Sequence, residues 1–232
     1  MRRTISYALV LVMVLTWLFF PTAGFCAGKE KLANRIEDST AIIEEMMRMP
    51  EIGIPTTVFS KCSGIAIFPK MLKGGFIWGA KYGQGILLHH DRQTNNWSPP
   101  AFFTIGGASW GLQIGGQAID LILVLNGEDA IDGLLRGKLT LGGGVAVTAG
   151  PVGRDAEIAG DIMLKTGVFS YSRAKGAFAG MTLEGAVITP NNSSNQNFYG
   201  QGITAREILL TGGAKASAEG SALINTLKKY SK

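Results

Sequence analysis

Arg136-Gly137-Lys138-Leu139-Thr140-Leu141-Gly142-Gly143-Gly144-Val145-Ala146-Val147-Thr148-Ala149-Gly150-Pro151-Val152-Gly153-Arg154-Asp155-Ala156 alternates outward-type with inward-type residues, as a strand does, yet holds glycine where a strand would place a side chain. Glycine removes packing surface and costs backbone entropy. A run of glycines inside a period-2 pattern therefore marks a bulge, a barrel corner, or close approach by another backbone or a ligand. Three cations, Arg136, Lys138 and Arg154, flank the glycines. An anion-facing surface is one reading of them and a solvated strand edge is the other. No helix start and no Walker lysine follows, so the stretch is a glycine-kinked strand pair and not a phosphate loop.

Immediately upstream, Asn126-Gly127-Glu128-Asp129 opens a short helix, with Asn126 as the expected N-cap. Acids occupy its first turn, Ile131, Leu134 and Leu135 form its buried face, and Gly137 ends it. Before it, residues 118–125 form an apolar run broken by Asp120, suited to a buried strand. Farther back, Ile65-Ala66-Ile67-Phe68, Gly75-Phe76-Ile77-Trp78, Gly85-Ile86-Leu87-Leu88 and residues 101–105 read as consecutive short antiparallel strands separated by turn residues. Downstream, residues 158–171 and 177–188 give further strands, and residues 190–197 read as a polar loop. Further helical periodicity lies at the ends, at residues 29–49, 205–210 and 214–230. The fold class is α+β: a curved antiparallel sheet or partly closed β-barrel flanked by N- and C-terminal helices. Glycine makes up 32 of 232 residues, about twice the usual share. It is scattered between apolar strands, which indicates bends and bulges instead of a disordered tract. Lys73-Gly74-Gly75-Phe76 and Lys175-Gly176-Ala177-Phe178 form a weak internal echo, as of two similar hairpins.

Residues 1–27 have the layout of a secretory leader: Arg2 and Arg3, then an apolar centre, then Pro21-Thr22-Ala23-Gly24. Cleavage after Gly24 or Cys26 fits small-residue rules. An uncleaved anchor is the alternative, since the uncharged span is long enough to cross a bilayer. Phe25 weighs against lipidation of Cys26. Residues 28–232 then form one exported domain, periplasmic or associated with an envelope membrane. The formal charge is +5, and loss of the two leader arginines leaves it mildly basic. No cationic block interleaved with aromatics is present, so nucleic acid is not an expected partner. Past Cys26 the single thiol, Cys62, forms no intramolecular disulfide and reads as a small buried residue.

Catalytic signals are weak. Gly107-Ala108-Ser109-Trp110-Gly111 matches the nucleophile-elbow pattern of a serine hydrolase, but the elbow needs a helix after the serine and a later histidine. The only histidines, His89 and His90, lie upstream. They are adjacent, so on a strand they point to opposite faces and do not ligate one metal. Asp120 needs a cationic or hydrogen-bonding partner among its apolar neighbours, and Arg136 or Lys138 is the expected one. No metal, cofactor or catalytic residue is expected. Binding remains: Arg136, Lys138, Arg154, Arg173 and Lys175 lie near glycine-rich turns whose exposed N–H groups suit phosphate or phospholipid head groups. Ordinary solvated cations are the alternative for each.

Several ordered blocks resemble the SYLF domain, also known as DUF500. They are Ile54-Pro55, Gly64-Ile65-Ala66-Ile67-Phe68-Pro69, Lys73-Gly74-Gly75-Phe76, Trp97-Ser98-Pro99-Pro100-Ala101-Phe102, Gly111-Leu112-Gln113-Ile114-Gly115-Gly116-Gln117, Asp120, Arg136-Gly137-Lys138, Gly150-Pro151-Val152-Gly153-Arg154 and Ser170-Tyr171-Ser172-Arg173-Ala174-Lys175-Gly176. The resemblance covers roughly residues 29–210. It implies a non-enzymatic lipid-binding domain, of which eukaryotic members bind phosphoinositides and fungal actin-patch regulators bind and bundle actin filaments beside an SH3 domain. An exported bacterial member would meet phospholipids at the cell envelope instead. The alternative is an envelope scaffold, or an actin-type module, that binds protein.

Overall fold

Strands that are apolar on both sides need cover on both faces, and the two ends of this chain supply it. The computed structural model describes residues 23–49, 53–75, 78–110, 115–137, 139–143, 145–150, 167–174, 177–178 and 183–231. The expected leader therefore lies outside the described residues, except where α1 (Ala23–Met47) begins. Among the described residues, no helix is long and apolar enough to cross a membrane.

After α1 come a short helix α2 (Thr56–Lys61), then β1 (Gly64–Gly75), β2 (Trp78–Asp91), β3 (Asn96–Trp97), β4 (Ala101–Trp110) and β5 (Gly115–Leu125). Helix α3 (Glu128–Leu135) leads to β6 (Leu139–Thr140), β7 (Val147–Ala149), β8 (Val168–Ala174), β9 (Ala177–Phe178) and β10 (Val187–Pro190). Helices α4 (Asn192–Tyr199), α5 (Ala205–Leu210) and α6 (Ala218–Tyr230) close the chain. The sheet order is β6-β10-β4-β2-β1-β5-β8-β7, with β3 paired to β2 and β9 to β8. The sheet is curled into a half-barrel. Of the two echoed tetrapeptides, Lys73-Gly74-Gly75 ends β1 and Ala177-Phe178 forms β9, and their other residues lie outside the described residues.

Alternate residues of the central strands feed two cores. Ile65, Ile67, Ile122, Val124, Phe169 and Tyr171 face α1, α2, α4 and α6. Ala66, Phe68, Leu121, Leu123 and Leu125 face the inside of the curl with α3 and α5. Burial on both sides explains why residues 118–125 read as a nearly continuous apolar run.

Three expectations need correction. The sheet is mixed, because β7 runs parallel to β8. Parallel neighbours need a long connection, and the chain between Ala149 and Val168 is long enough to provide one. Residues 190–197 are not a loop: Pro190 ends β10, Asn191 is a helix cap and residues 192–197 lie in α4. Asn191 caps it by accepting from the Ser194 N–H at 3.1 Å, so local polar residues that favour turns here favour a helix start. The N-cap of α3 is Gly127, in extended conformation and without a side-chain cap, one residue beyond the expected Asn126.

The stretch that opened the sequence reading joins the two edges of the sheet. Its first part is β6, paired with β10 at one edge, and its second is β7, paired with β8 at the other. The chain between Thr140 and Val147 reaches at most about 25 Å even fully extended. The half-barrel must therefore bring its edges close. Two glycines make the seam possible. Gly142 turns at φ +81°, and its N–H donates to the Val145 carbonyl at 3.0 Å. Gly150 lies against Tyr171, where a Cβ would run into the aromatic ring.

Candidate functional site: a basic groove beneath the first helix

Helix α1 crosses the strands. Arg35 reaches Gln84 on β2, Asp38 reaches Lys70 on β1, and Glu45 reaches Arg173 on β8. From residue 35 to residue 45 the helix rises about 15 Å. The step from β2 across β1 and β5 to β8 is about 14 Å at ordinary strand spacing. Contacts on successive turns therefore meet successive strands. Lys31, Arg35, Asp38 and Glu45 share one flank of the helix, beside the buried stripe of Leu32, Ile36, Ile43 and Met46.

At one end this flank is closed by charge. Asp120 on β5 sits directly opposite Arg173 on β8, and its Oδ2 accepts from the Arg173 guanidinium at 3.1 Å. Its other oxygen accepts from the Lys70 backbone N–H at 2.9 Å. That N–H is displaced by a bulge in β1, where Lys70 takes the left-handed φ of +50°. Glu45 is the second carboxylate on Arg173, and this pairing raises the guanidinium pKa while it holds the Glu45 carboxyl below its ordinary value. The partner of Asp120 is thus Arg173, where Arg136 or Lys138 was expected. The Arg173 side chain is only 10 % exposed, so its charge is spent inside the protein.

At the other end the flank is open. Lys31, Asn34, Arg35 and Asp38 of α1 overhang Pro69, Lys70 and Leu72 of β1 and Tyr82, Gly83 and Gln84 of β2, which together line a groove of about 410 Å³. Leu72 and Tyr82 are cross-strand partners, and both face outward, 59 % and 51 % exposed. An aliphatic and an aromatic side chain paired in the open is unusual beside so much charge. The Arg35 guanidinium donates to Gln84 Oε1 at 2.7 Å, and Gln84 Nε2 donates to the Tyr82 hydroxyl at 3.0 Å. Partial burial pulls the Arg35 pKa below the usual arginine value, against the neighbouring Tyr82 and Asp38. Lys70 Nζ is 2.9 Å from Asp38 Oδ2. Lys31 is exposed and has no acidic partner among the described residues.

Of the other cations singled out from sequence, Arg136 does not line the groove. Arg136 is exposed at the C-cap of α3, where a positive charge complements the helix dipole. Lys138, Arg154 and Lys175 lie outside the described residues. Sequence reasoning missed the groove, although the spacing of Lys31, Arg35 and Asp38 marked one face of α1. What it lacked was the hairpin beneath that face.

The catalytic motifs take structural places. Ser109 lies within the ladder of β4 opposite Gly79, not at a strand-to-helix turn. His89 contacts Glu128 at 3.2 Å, while His90 turns to the other side. There its Nδ1–H donates to the Cys62 carbonyl at 3.0 Å, and its ring stacks on Trp97 with centroids 4.3 Å apart. Cys62 is buried, which pushes its thiol up to about 12. Among the described residues no cluster of metal ligands occurs.

The chain folds as a curled α+β half-barrel with a basic groove on its outer face. Residues 106–230 match the family model described as Ysc84, Las17-binding protein actin regulator, so the chain belongs to the Ysc84 family, the SYLF family that its motifs resemble. It is 35 % identical over 77 % of its length to the SH3 domain-containing protein PJ696.02 of Schizosaccharomyces pombe, covering 42 % of that protein. It is 37 % identical over 67 % of its length to LAS seventeen-binding protein 3 of Saccharomyces cerevisiae, covering 34 % of it. The SH3 domain-containing YSC84-like protein 1 of Homo sapiens is 37 % identical over 69 % of the chain, which covers 46 % of that protein. The chain thus spans less than half the length of each of these relatives.

Proposed function

We propose that this protein is a non-enzymatic, phospholipid-binding domain, exported and acting at the surface of an envelope membrane. The observation that carries the proposal is the coincidence of exposed Leu72 and Tyr82 with Lys31, Arg35 and Lys70 around one open groove. Peripheral membrane binding combines buried apolar area with attraction of cations to anionic lipid, and this surface offers both. Flotation of the full chain with liposomes tests it. Binding to phosphatidylglycerol-containing vesicles, weakened by salt, is expected. No binding to either anionic or neutral vesicles overturns it.

A protein partner is the second reading, favoured by the relatives' names, two of which are Las17-binding or YSC84-like proteins. An interaction that survives high salt and detergent, with no flotation on vesicles, would support it instead.

A further inference from the structure

We propose that the groove under α1 holds one lipid phosphate between Lys31 and Arg35, with the Tyr82 hydroxyl as a third donor and Leu72 against the first carbons of the acyl chains, while Asp38 withholds Lys70. This rests on the phospholipid reading above and adds the site and its capacity. Lys31 and Arg35 are four residues apart on α1, so both point over the same hairpin. Arg35 is already oriented by its 2.7 Å bond to Gln84, which occupies one side of a guanidinium fork that carries five donors. The Tyr82 oxygen accepts from Gln84, which leaves its own O–H to donate outward. Lys70 stands at the edge of the same groove, but its ammonium faces Asp38 at 2.9 Å. Both members of that pair are well exposed, so the bond is weak and acts mainly by neutralising charge. With Asp38 set against three cations, the groove therefore presents a net charge of two and one hydroxyl. That number suits a phosphodiester with a single negative charge, such as phosphatidylglycerol, and not the clustered phosphates of a polyphosphoinositide.

The test is vesicle binding by the full chain, with variants shown by circular dichroism to keep their melting temperature. Lys31→Gln combined with Arg35→Gln should weaken binding to phosphatidylglycerol vesicles at least tenfold, since each interfacial cation contributes about fivefold. Asp38→Asn frees Lys70 and should strengthen binding by about fivefold, a gain that misfolding does not produce. Vesicles matched in total charge, carrying either phosphatidylglycerol or phosphatidylinositol bisphosphate, should bind the unaltered protein equally, whereas Asp38→Asn should come to favour the bisphosphate. Soluble glycerophosphate should compete poorly, because it lacks the chains that Leu72 meets. If the unaltered protein floats but the double variant floats equally well, the site assignment fails and the phospholipid reading stands. If Asp38→Asn weakens binding, or the unaltered protein prefers the bisphosphate at matched charge, the single-phosphate claim fails. If the unaltered protein floats with no vesicle, both fall together.

Discussion

Asp120 shows how far one residue can be read. A carboxylate in an apolar strand announces that it needs partners, and it has two: the bulged Lys70 N–H and the Arg173 guanidinium. Their identity was not legible, because it depends on the register that sets Asp120 opposite Arg173 and on the bulge that frees the Lys70 amide. Removal of one member of such a pair strands the other charge. Arg173→Met should lower stability by about 2 to 3 kcal/mol, below the fully buried case because the Asp120 side chain is 21 % exposed. Asp120→Asn, which keeps an acceptor for the Lys70 N–H, should cost less. Urea denaturation of the two variants measures the difference. Glu45 adds a pH dependence. Its bond to Arg173 depresses its pKa in the folded state, so its stabilisation is present above the unfolded value of about 4.3 and is lost as pH falls through the lower folded value. Because the Glu45 side chain is 52 % exposed, the effect stays under about 1 kcal/mol. The melting temperatures of the unaltered protein and Glu45→Gln should differ at pH 6 and converge as pH falls below the unfolded value.

Among the elements, the paired strands and the terminal helices were legible because each repeats a period of two or of about 3.6 over many residues. Helix α4 was not, since its polar run carries no apolar period; its purpose appears only in three dimensions. Asn195 is completely buried, accepts from the Phe102 N–H at 2.7 Å and donates to the Phe102 carbonyl at 3.2 Å. Strand β10 stops at Pro190, opposite Phe103, so the amide of Asn195 takes up the edge of β4 one residue further on. Asn195→Ala leaves a buried N–H unpaired and should cost about 2 to 3 kcal/mol, read from chemical denaturation. The glycines of the seam separate into two kinds. Gly142 supplies a left-handed turn, and Gly150 supplies room for Tyr171. Gly150→Ala should cost about 1 to 3 kcal/mol through overpacking. Shrinking the ring partner by Tyr171→Leu in the same chain should recover part of that loss in thermal melts.

For the whole molecule, the glycine-rich stretch settled the fold in a way its cations did not settle the site. It reads as a kinked strand pair, and it is the short span between the two edges of a half-barrel. Of the cations called from sequence that the structure describes, Arg136 stands at a helix terminus and Arg173 lies between two carboxylates. The groove arises instead where α1, crossing the strands, carries residues 31–38 over the β1–β2 hairpin. No local pattern encodes that meeting, because it joins residues some fifty positions apart, as Arg35 and Gln84 are. Hydrogen–deuterium exchange of the full chain, with and without phosphatidylglycerol vesicles, tests most directly whether this surface meets the membrane. The account predicts that vesicles slow exchange in residues 70–73 and 80–84 and in residues 31–38 of α1. Protection centred instead on residues 136–150, or none in the presence of vesicles to which the protein is bound, would contradict it.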